Sequence, residues 1–161
     1  MVCGMNLTIQ PLAKAHYAQL CELAVSEEQQ QYVGTMEGLL ACVSMDVHPH
    51  VICVNDQVIG FFLIDTFYGI KYDFALDNAI GLRGFFIDQR YQGQGYARAT
   101  MVQFGTYLKS YYSHRENIYL TVNCRNPFAR QSYLAGGFID TGELYLGGAA
   151  GPQHVMKLSY A

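Results

Sequence analysis

Charged residues are scarce in this sequence. Asp, Glu, Lys and Arg make up 14% of its 161 residues, whereas apolar residues make up 51%. Disordered chains are rich in charge and poor in apolar side chains, so this composition argues against disorder. Tryptophan is absent, but 13 Tyr and 9 Phe supply aromatic bulk. The composition predicts a packed core, and the length predicts one domain over residues 1–161.

A basic cluster and a long apolar run are also missing. The net charge is −3, and a surface that binds nucleic acid needs clustered Lys and Arg. A transmembrane helix needs about 18 apolar residues in a row, whereas the longest run here, Val58 to Ile64, has the length of a strand. The start has no basic segment ahead of an apolar one, and Met5 is an alternative first residue. Neither nucleic acid nor a membrane is expected as a partner.

The cysteines form no recognisable pairs. They are odd in number and never stand in a Cys-x-x-Cys spacing: Cys3, Cys21, Cys42, Cys53 and Cys124. A disulfide framework or a zinc site is therefore not expected, and reduced thiols predict a cytoplasmic location. His48-Pro49-His50 has two metal-ligand residue types, but a turn with two polar residues is the simpler interpretation. No metal is expected.

Hydrophobic periodicity and turn residues predict seven strands and four helices. Asn55-Asp56, between two β-branched runs, predicts a tight hairpin turn, and residues 66–80 are expected to form a loop. Ser26 is the expected cap of the second helix. The helices are expected over 12–25, 28–45, 93–112 and 126–136, and the strands over 7–9, 50–54, 57–64, 81–88, 118–122, 138–146 and 154–160. This order predicts an α/β sheet covered on both faces.

The segment from Arg90 to Ala97 carries the clearest chemical signal. It follows a strand, contains Gly93 and Gly95, and opens a helix. A helix N-terminus presents unpaired N–H groups, and glycines let the backbone approach an anion, so a diphosphate is a natural ligand. A dinucleotide fingerprint would need glycine where Arg98 stands and an acid about 20 residues later, and no Asp or Glu lies between residues 89 and 115. A glycine turn without a ligand stays open at this point.

A second segment resolves much of this. Asn126 and Pro127 are typical of a helix start. Arg90-x-x-Gly93-x-Gly95-x-Ala97, followed by Asn126-x-x-Ala129-x-x-x-Tyr133-x-x-x-Gly137-Phe138, resembles the coenzyme A motifs of the GNAT superfamily of acyl-CoA-dependent N-acyltransferases. The resemblance covers roughly residues 5 to 160. It implies a mixed, mostly antiparallel central sheet with helices on both faces and two parallel strands that splay apart at the coenzyme.

The resemblance also implies where acetyl-CoA, the co-substrate, would lie. The splayed strands would be 82–88 and 118–123, and Asn126 would bond the pantetheine or its neighbour. Arg98, Lys109 and Arg130 are either phosphate ligands or solvated charges. Backbone groups of three residues would hold the pantetheine: Phe86, Ile87 and Asp88. Backbone N–H groups of six residues would cradle the diphosphate: Gln92, Gly93, Gln94, Gly95, Tyr96 and Ala97.

For the reaction itself, the resemblance implies direct attack of an amine on the thioester in a ternary complex. Tyr133 would be the catalytic general acid, because a phenol near the sulfur can protonate the departing thiolate. A buried aromatic that only packs its helix is the alternative. An acyl-cysteine at Cys124 is the less simple alternative to a buried thiol. The base is not identified; the candidates are Asp65, Glu28 and Glu37.

The acceptor is the least defined part. Segments 28–33, 83–88 and 141–143 look like the bacterial diamine and polyamine acetyltransferase branch, although Ala97 stands where glycine is common and residues 147–151 lack acids. A cationic substrate would need carboxylates, which Glu28, Glu37, Asp46 and Glu143 could supply. The predicted function is acetyl transfer from acetyl-CoA to a primary amine of a small molecule. The alternatives are a protein or peptide N-terminal acetyltransferase and a non-catalytic acyl-CoA sensor. No pattern distinguishes a monomer from a homodimer.

Overall fold

The computed structural model describes residues 6–161, so Cys3 and Met5 lie outside the described residues. Within these described residues, seven strands form one sheet in the order β1-β2-β3-β4-β5-β7-β6. Only β4 and β5 run parallel, and the other neighbouring pairs are antiparallel. This confirms the predicted mixed sheet. The strands are Leu7–Pro11 (β1), Val47–Val54 (β2), Gln57–Asp65 (β3), Ile80–Ile87 (β4), Asn117–Asn123 (β5), Ile139–Tyr145 (β6) and Gln153–Ser159 (β7).

Helices cover both faces of the sheet, as predicted. They are Tyr17–Leu20 (α1), Glu27–Val33 (α2), Met36–Ala41 (α3), Tyr68–Lys71 (α4), Tyr96–Tyr111 (α5) and Pro127–Ala135 (α6). Met101 and Phe104 of α5 join the core on one face, and Leu20 and Leu39 of α1 and α3 join the core on the other. Strand β3 is buried between these two cores, which explains why its sequence is apolar without alternation. Within residues 6–161, no helix is long and apolar enough to cross a membrane.

The turn and the helix cap that depend only on neighbouring residues were predicted correctly. Asn55 and Asp56 both adopt positive φ, 50° and 67°, and join β2 to β3 as predicted. Asn126 precedes Pro127 at the start of α6, and its side chain accepts the N–H of Ala129 at 3.4 Å. These residues are selected by backbone geometry alone, so the pattern identifies them.

The two helices predicted before β2 were wrong in extent. Residues 12–25 contain only a 3₁₀ turn, Lys14–His16, and the single turn of α1. The predicted helix 28–45 is divided, because Gly34 takes φ 89° and Thr35 starts α3 by accepting the N–H of Gly38 at 3.1 Å. Ser26 precedes α2 as expected, but its side chain makes no capping hydrogen bond. The segment predicted as a loop over 66–80 also contains a helical turn, α4.

His48-Pro49-His50 was expected to form a turn, but all three residues lie in β2. Alternation along the strand places both histidines on one face, where their rings hydrogen-bond the Tyr112 hydroxyl at 2.8 and 3.0 Å. His50 is also stacked on Phe62, with ring centroids 4.9 Å apart. Burial, with a smaller contribution from His48, lowers the pKa of His50 to about 3. The neutral His50 ring is therefore part of the core.

Candidate active site

Strands β4 and β5 separate soon after they begin. They pair only at Ile80 with Ile118 and at Gly81 with Tyr119. Further along, Phe61 of β3 pairs with Phe86 and Leu63 pairs with Arg83, so β4 has one more residue than β3 over this stretch. Such a bulge bends a strand, and the φ of 63° at Gly84 is one that glycine adopts without strain. The bend lies where β4 leaves β5, and the predicted splay is present.

The separated strands form one wall of a cleft of about 950 Å³. Helices α2 and α3, the glycine loop before α5, the start of α6 and residues 149–150 complete it. Of the residues predicted to hold the pantetheine, to cradle the diphosphate or to act as the general acid, only Asp88 and Gln94 are not part of its lining; Arg98 lines it, whereas Lys109 and Arg130 do not. The structure therefore brings both sequence motifs to one cleft, through the residues Phe86, Ile87, Gln92, Gly93, Gly95, Tyr96, Ala97, Asn126 and Tyr133.

Backbone groups of Phe86, Ile87 and Asp88 were predicted to hold the pantetheine, but only those of Ile87 face the cleft. The N–H of Asp88 donates to the carbonyl of Ile59 on β3 at 2.7 Å. Successive residues of a strand direct their N–H and C=O groups to opposite edges, so Phe86 also faces β3 and Ile87 faces the opening. The carbonyl of Ile87 accepts the Gln92 side-chain amide at 2.9 Å. The Ile87 N–H is therefore directed at the opening between β4 and β5.

The glycine loop has the geometry of an anion cradle. Gly93 and Gly95 have φ values of 74° and 87°, which favour glycine, and a Cβ at either position would meet nothing within 4 Å. Gly95 is the N-cap of α5, and no side chain caps it. The positive end of the α5 dipole thus opens onto unfilled space, and Ala97 and Arg98 of its first turn line the cleft.

The Asp88 side chain fixes the start of this loop through hydrogen bonds. Its carboxylate accepts the N–H of Ala24 at 2.8 Å and both the N–H and Nε of Arg90 at 2.9 and 2.8 Å. Burial alone would raise the pKa of Asp88, but these hydrogen bonds and the Arg90 charge hold it below its usual range. The Asp88 side chain therefore orders the entry to the glycine loop, and does so as a carboxylate.

We expect Asp88→Ala to lower the free energy of unfolding by about 1–3 kcal/mol at pH 7, because three N–H donors lose a buried carboxylate acceptor. The folded pKa of Asp88 lies below the unfolded value of about 3.9. Its stabilisation is therefore complete above that pH and is lost as the pH falls through the folded pKa. Urea unfolding at pH 7 and pH 3 should show the difference from wild type shrinking at pH 3. Asp77→Ala, at an exposed acid, is the control; an equal difference at both pH values would assign the effect to packing alone.

Tyr133 lies in the middle of the cleft, on α6. Its side chain is only 8% exposed and packs edge-on against Phe85 and Phe138, with ring centroids 6.0 and 5.8 Å apart. Burial raises its pKa, so the phenol stays protonated and can donate. Tyr133 thus packs its helix and also lines the cleft; its catalytic role stays a prediction.

The candidate bases are not in the cleft. Asp65 is fully buried and paired with Lys71 at 2.7 Å and Arg83 at 3.2 Å. Glu28 and Glu37 are exposed, and no Asp or Glu of residues 6–161 belongs to the cleft lining. For Cys124, the sequence favoured a buried thiol over an acyl-cysteine nucleophile. Cys124 is exposed, so the prediction of a buried thiol was wrong. It also lies outside the cleft lining, so the acyl-cysteine gains no support.

The sequence reasoning overlooked the side chains at the far end of the cleft. Tyr68, Tyr72 and Arg83 line that end. The tyrosines lie in a segment that was expected to be a loop, so periodicity gave no signal for them. Arg83 did carry a signal, because it is the only charged residue within the buried strand β4.

Comparisons with known proteins agree with this geometry. The model of the acetyltransferase (GNAT) family matches residues 17–138. The spermine/spermidine N(1)-acetyltransferase of Bacillus subtilis is 28% identical over 152 residues, 89% of this chain and 95% of that protein. Among solved structures, spermidine N-acetyltransferase from Vibrio cholerae, in complex with CoA and spermine, has a TM-score of 0.69 at 18% identity, covering 96% of this chain and 95% of that one. The aminoglycoside acetyltransferase AAC(6')-Ib, in complex with coenzyme A, has a TM-score of 0.73 at 17% identity over the same shares.

Proposed function

The chain belongs to the acetyltransferase (GNAT) family, and from this premise we propose that it transfers an acetyl group from acetyl-CoA to a primary amine of a small molecule. The observation that carries the proposal is the single cleft that joins the glycine loop to the buried phenol of Tyr133. One end suits an anion and the middle holds a proton donor, which are the two requirements of a coenzyme A thioester.

Acetyl-CoA would enter with its diphosphate at the glycine loop. The unfilled space above Gly93 and Gly95 is where phosphate oxygens would approach the backbone. The Ile87 N–H would pair with an amide of the pantetheine, as a strand does at an open edge. The Asn126 side chain lines the cleft beside this path. This placement would aim the thioester at Tyr133.

The neutral amine would attack the thioester carbonyl directly. A C–N bond forms and the C–S bond breaks, and the departing thiolate takes the proton of the Tyr133 hydroxyl. Because no carboxylate of residues 6–161 lines the cleft, the excess proton of the amine would leave through water rather than to an adjacent acid. Tyr133 then regains a proton from the same water.

A small acceptor is favoured over a peptide by the loop at residues 147–151. The Asn123 side-chain amide and the Arg125 guanidinium both donate to the carbonyl of Ala150, and the first of these bonds is 2.9 Å long. These bonds hold the loop beside the cleft, where Ala149 and Ala150 form part of the lining, and this favours a small acceptor over an extended peptide. Polyamines and aminoglycosides enter the proposal through the names of the similar proteins. A cytoplasmic reaction is part of the proposal, in keeping with the free thiols of residues 6–161.

The test is thiol release from acetyl-CoA by the purified chain, followed with spermidine, an aminoglycoside, amino acids and short peptides. We expect release with at least one small primary amine, and acetylated product by mass spectrometry. Release only with peptides would favour the peptide acetyltransferase. Tight acetyl-CoA binding without release to any amine would favour the non-catalytic sensor.

A further inference from the structure

The far end of the cleft has an unusual charge. Only two charged side chains of residues 6–161 belong to the cleft lining, Arg83 and Arg98, and both are cationic. Arg98 lies in the first turn of α5, beside the proposed diphosphate position. The acids that could have received a cationic substrate, Glu28, Glu37, Asp46 and Glu143, are outside the lining. Residues 1–5 contain no acid. Arg83 therefore sets the charge at the end away from the glycine loop.

The order of residues along β4 places Arg83 on the acceptor side of Tyr133. Going back along the chain from the glycine loop, Ile87 is the last residue of β4. Two residues before it, Phe85 packs against Tyr133 with ring centroids 6.0 Å apart. Arg83 lies two residues further from the loop, across the bulge at Gly84. At about 3.3 Å per residue, two residues correspond to roughly 7 Å. An amine at Tyr133 would thus have the rest of its molecule beside Arg83.

The guanidinium of Arg83 is oriented by neighbouring side chains and still has N–H donors available for a ligand. Its Nη1 donates to Asp65 at 3.2 Å, and its Nη2 has only the Cys42 sulfur, at 3.9 Å. Lys71 shares the same carboxylate oxygen at 2.7 Å, so the group of three carries one net positive charge. The side chain of Arg83 is 35% exposed. A guanidinium has five N–H donors, and its remaining ones match the two oxygens of a carboxylate.

Resting on the proposed function, we infer that the acceptor is an amine that also carries a carboxylate, and that Arg83 binds this carboxylate. Tyr68 and Tyr72, which line the cleft beside it, give the body of such a molecule an aromatic wall. A free polyamine would place two or more positive charges where the cleft offers a cation and no carboxylate. Arg83 is thereby a specificity-determining residue, oriented by Asp65.

The experiment compares matched pairs of acceptors. The probes are L-amino acids, their carboxamides and spermidine, with kcat/KM expressed per unprotonated amine, because a carboxamide lowers the pKa of the neighbouring amine. We expect at least one acid to exceed its carboxamide and spermidine about tenfold. Arg83→Gln should abolish that preference through a higher KM for the acid, with the carboxamide unchanged. Lys71→Gln is the matched control: it removes the other cation on Asp65, outside the cleft, and should keep the preference.

The outcomes separate this inference from the proposed function. Equal kcat/KM for the acids and their carboxamides, or spermidine as the best acceptor, would overturn the carboxylate while leaving the acetyltransferase in place. The same loss of preference in both variants would assign the effect to the ion pairs around Asp65 and overturn the role of Arg83. Failure of every amine, whatever its charge, would instead contradict the proposed function.

Discussion

Replacing Tyr133 by Phe is expected to lower kcat about 100-fold while the Kd for acetyl-CoA changes less than twofold. General acid catalysis contributes about 10²–10⁴-fold, and the substitution removes one oxygen from a ring whose packing against Phe85 and Phe138 is otherwise kept. The thiolate would then leave without a proton donor beside it. Steady-state kinetics and a calorimetric titration with acetyl-CoA measure the two quantities separately.

A matched control for this substitution is Tyr111→Phe, at a tyrosine that is 51% exposed on α5 and outside the cleft lining. It should leave kcat unchanged. Burial raises the pKa of Tyr133, so the phenol remains protonated well past neutral pH. The wild-type kcat should therefore rise with pH as the amine loses its proton and should not fall again near pH 10. Unchanged turnover in Tyr133→Phe would remove the phenol from the mechanism.

How far the sequence could predict this site depends on the range of the interactions involved. The cap at Asn126 and the positive φ values at Gly93 and Gly95 are decided by a few neighbouring atoms, so a pattern of residues identifies them. The broken helix at Gly34 depends on how α2 and α3 close over the sheet, and periodicity gave no sign of it. The splay was expected from the family resemblance alone.

The environment of Arg83 shows why the acceptor end was harder to predict. Its carboxylate partner, Asp65, is 18 residues away, and Cys42 is 41 residues away on another element. The acids proposed from the sequence lie outside the cleft lining, Asp65 in the core and Glu28, Glu37 and Glu143 at exposed positions, because helical and strand positions give no direction until the elements are packed. The identity of the charged residues was readable, but their assembly into one cleft required the sheet register.

The glycine loop supplies the last prediction: Gly93→Asp should raise the Kd for acetyl-CoA about 50-fold, whereas Gly93→Asn should raise it less than tenfold. Both side chains have the same size, and both residues tolerate positive φ better than most. The space around a Cβ at this position is open, so neither side chain meets a clash and both carry the same backbone strain of a positive φ. The two variants differ in one negative charge beside the diphosphate. At about 5 Å and an effective dielectric constant of about 20, one pair of unit charges repels by roughly 3 kcal/mol before screening by salt.

The dependence on salt gives this comparison its second readout. A repulsion between charges near the surface weakens as ionic strength rises, because the screening length falls from about 10 Å at 0.1 M to about 3 Å at 1 M. The Kd ratio between the Asp and Asn variants should therefore shrink in 1 M salt, while a steric effect would not change. Equal Kd values for the two variants at low salt would mean that the diphosphate lies elsewhere. In that case the open space over Gly93 and the N-terminus of α5 would not be the coenzyme site.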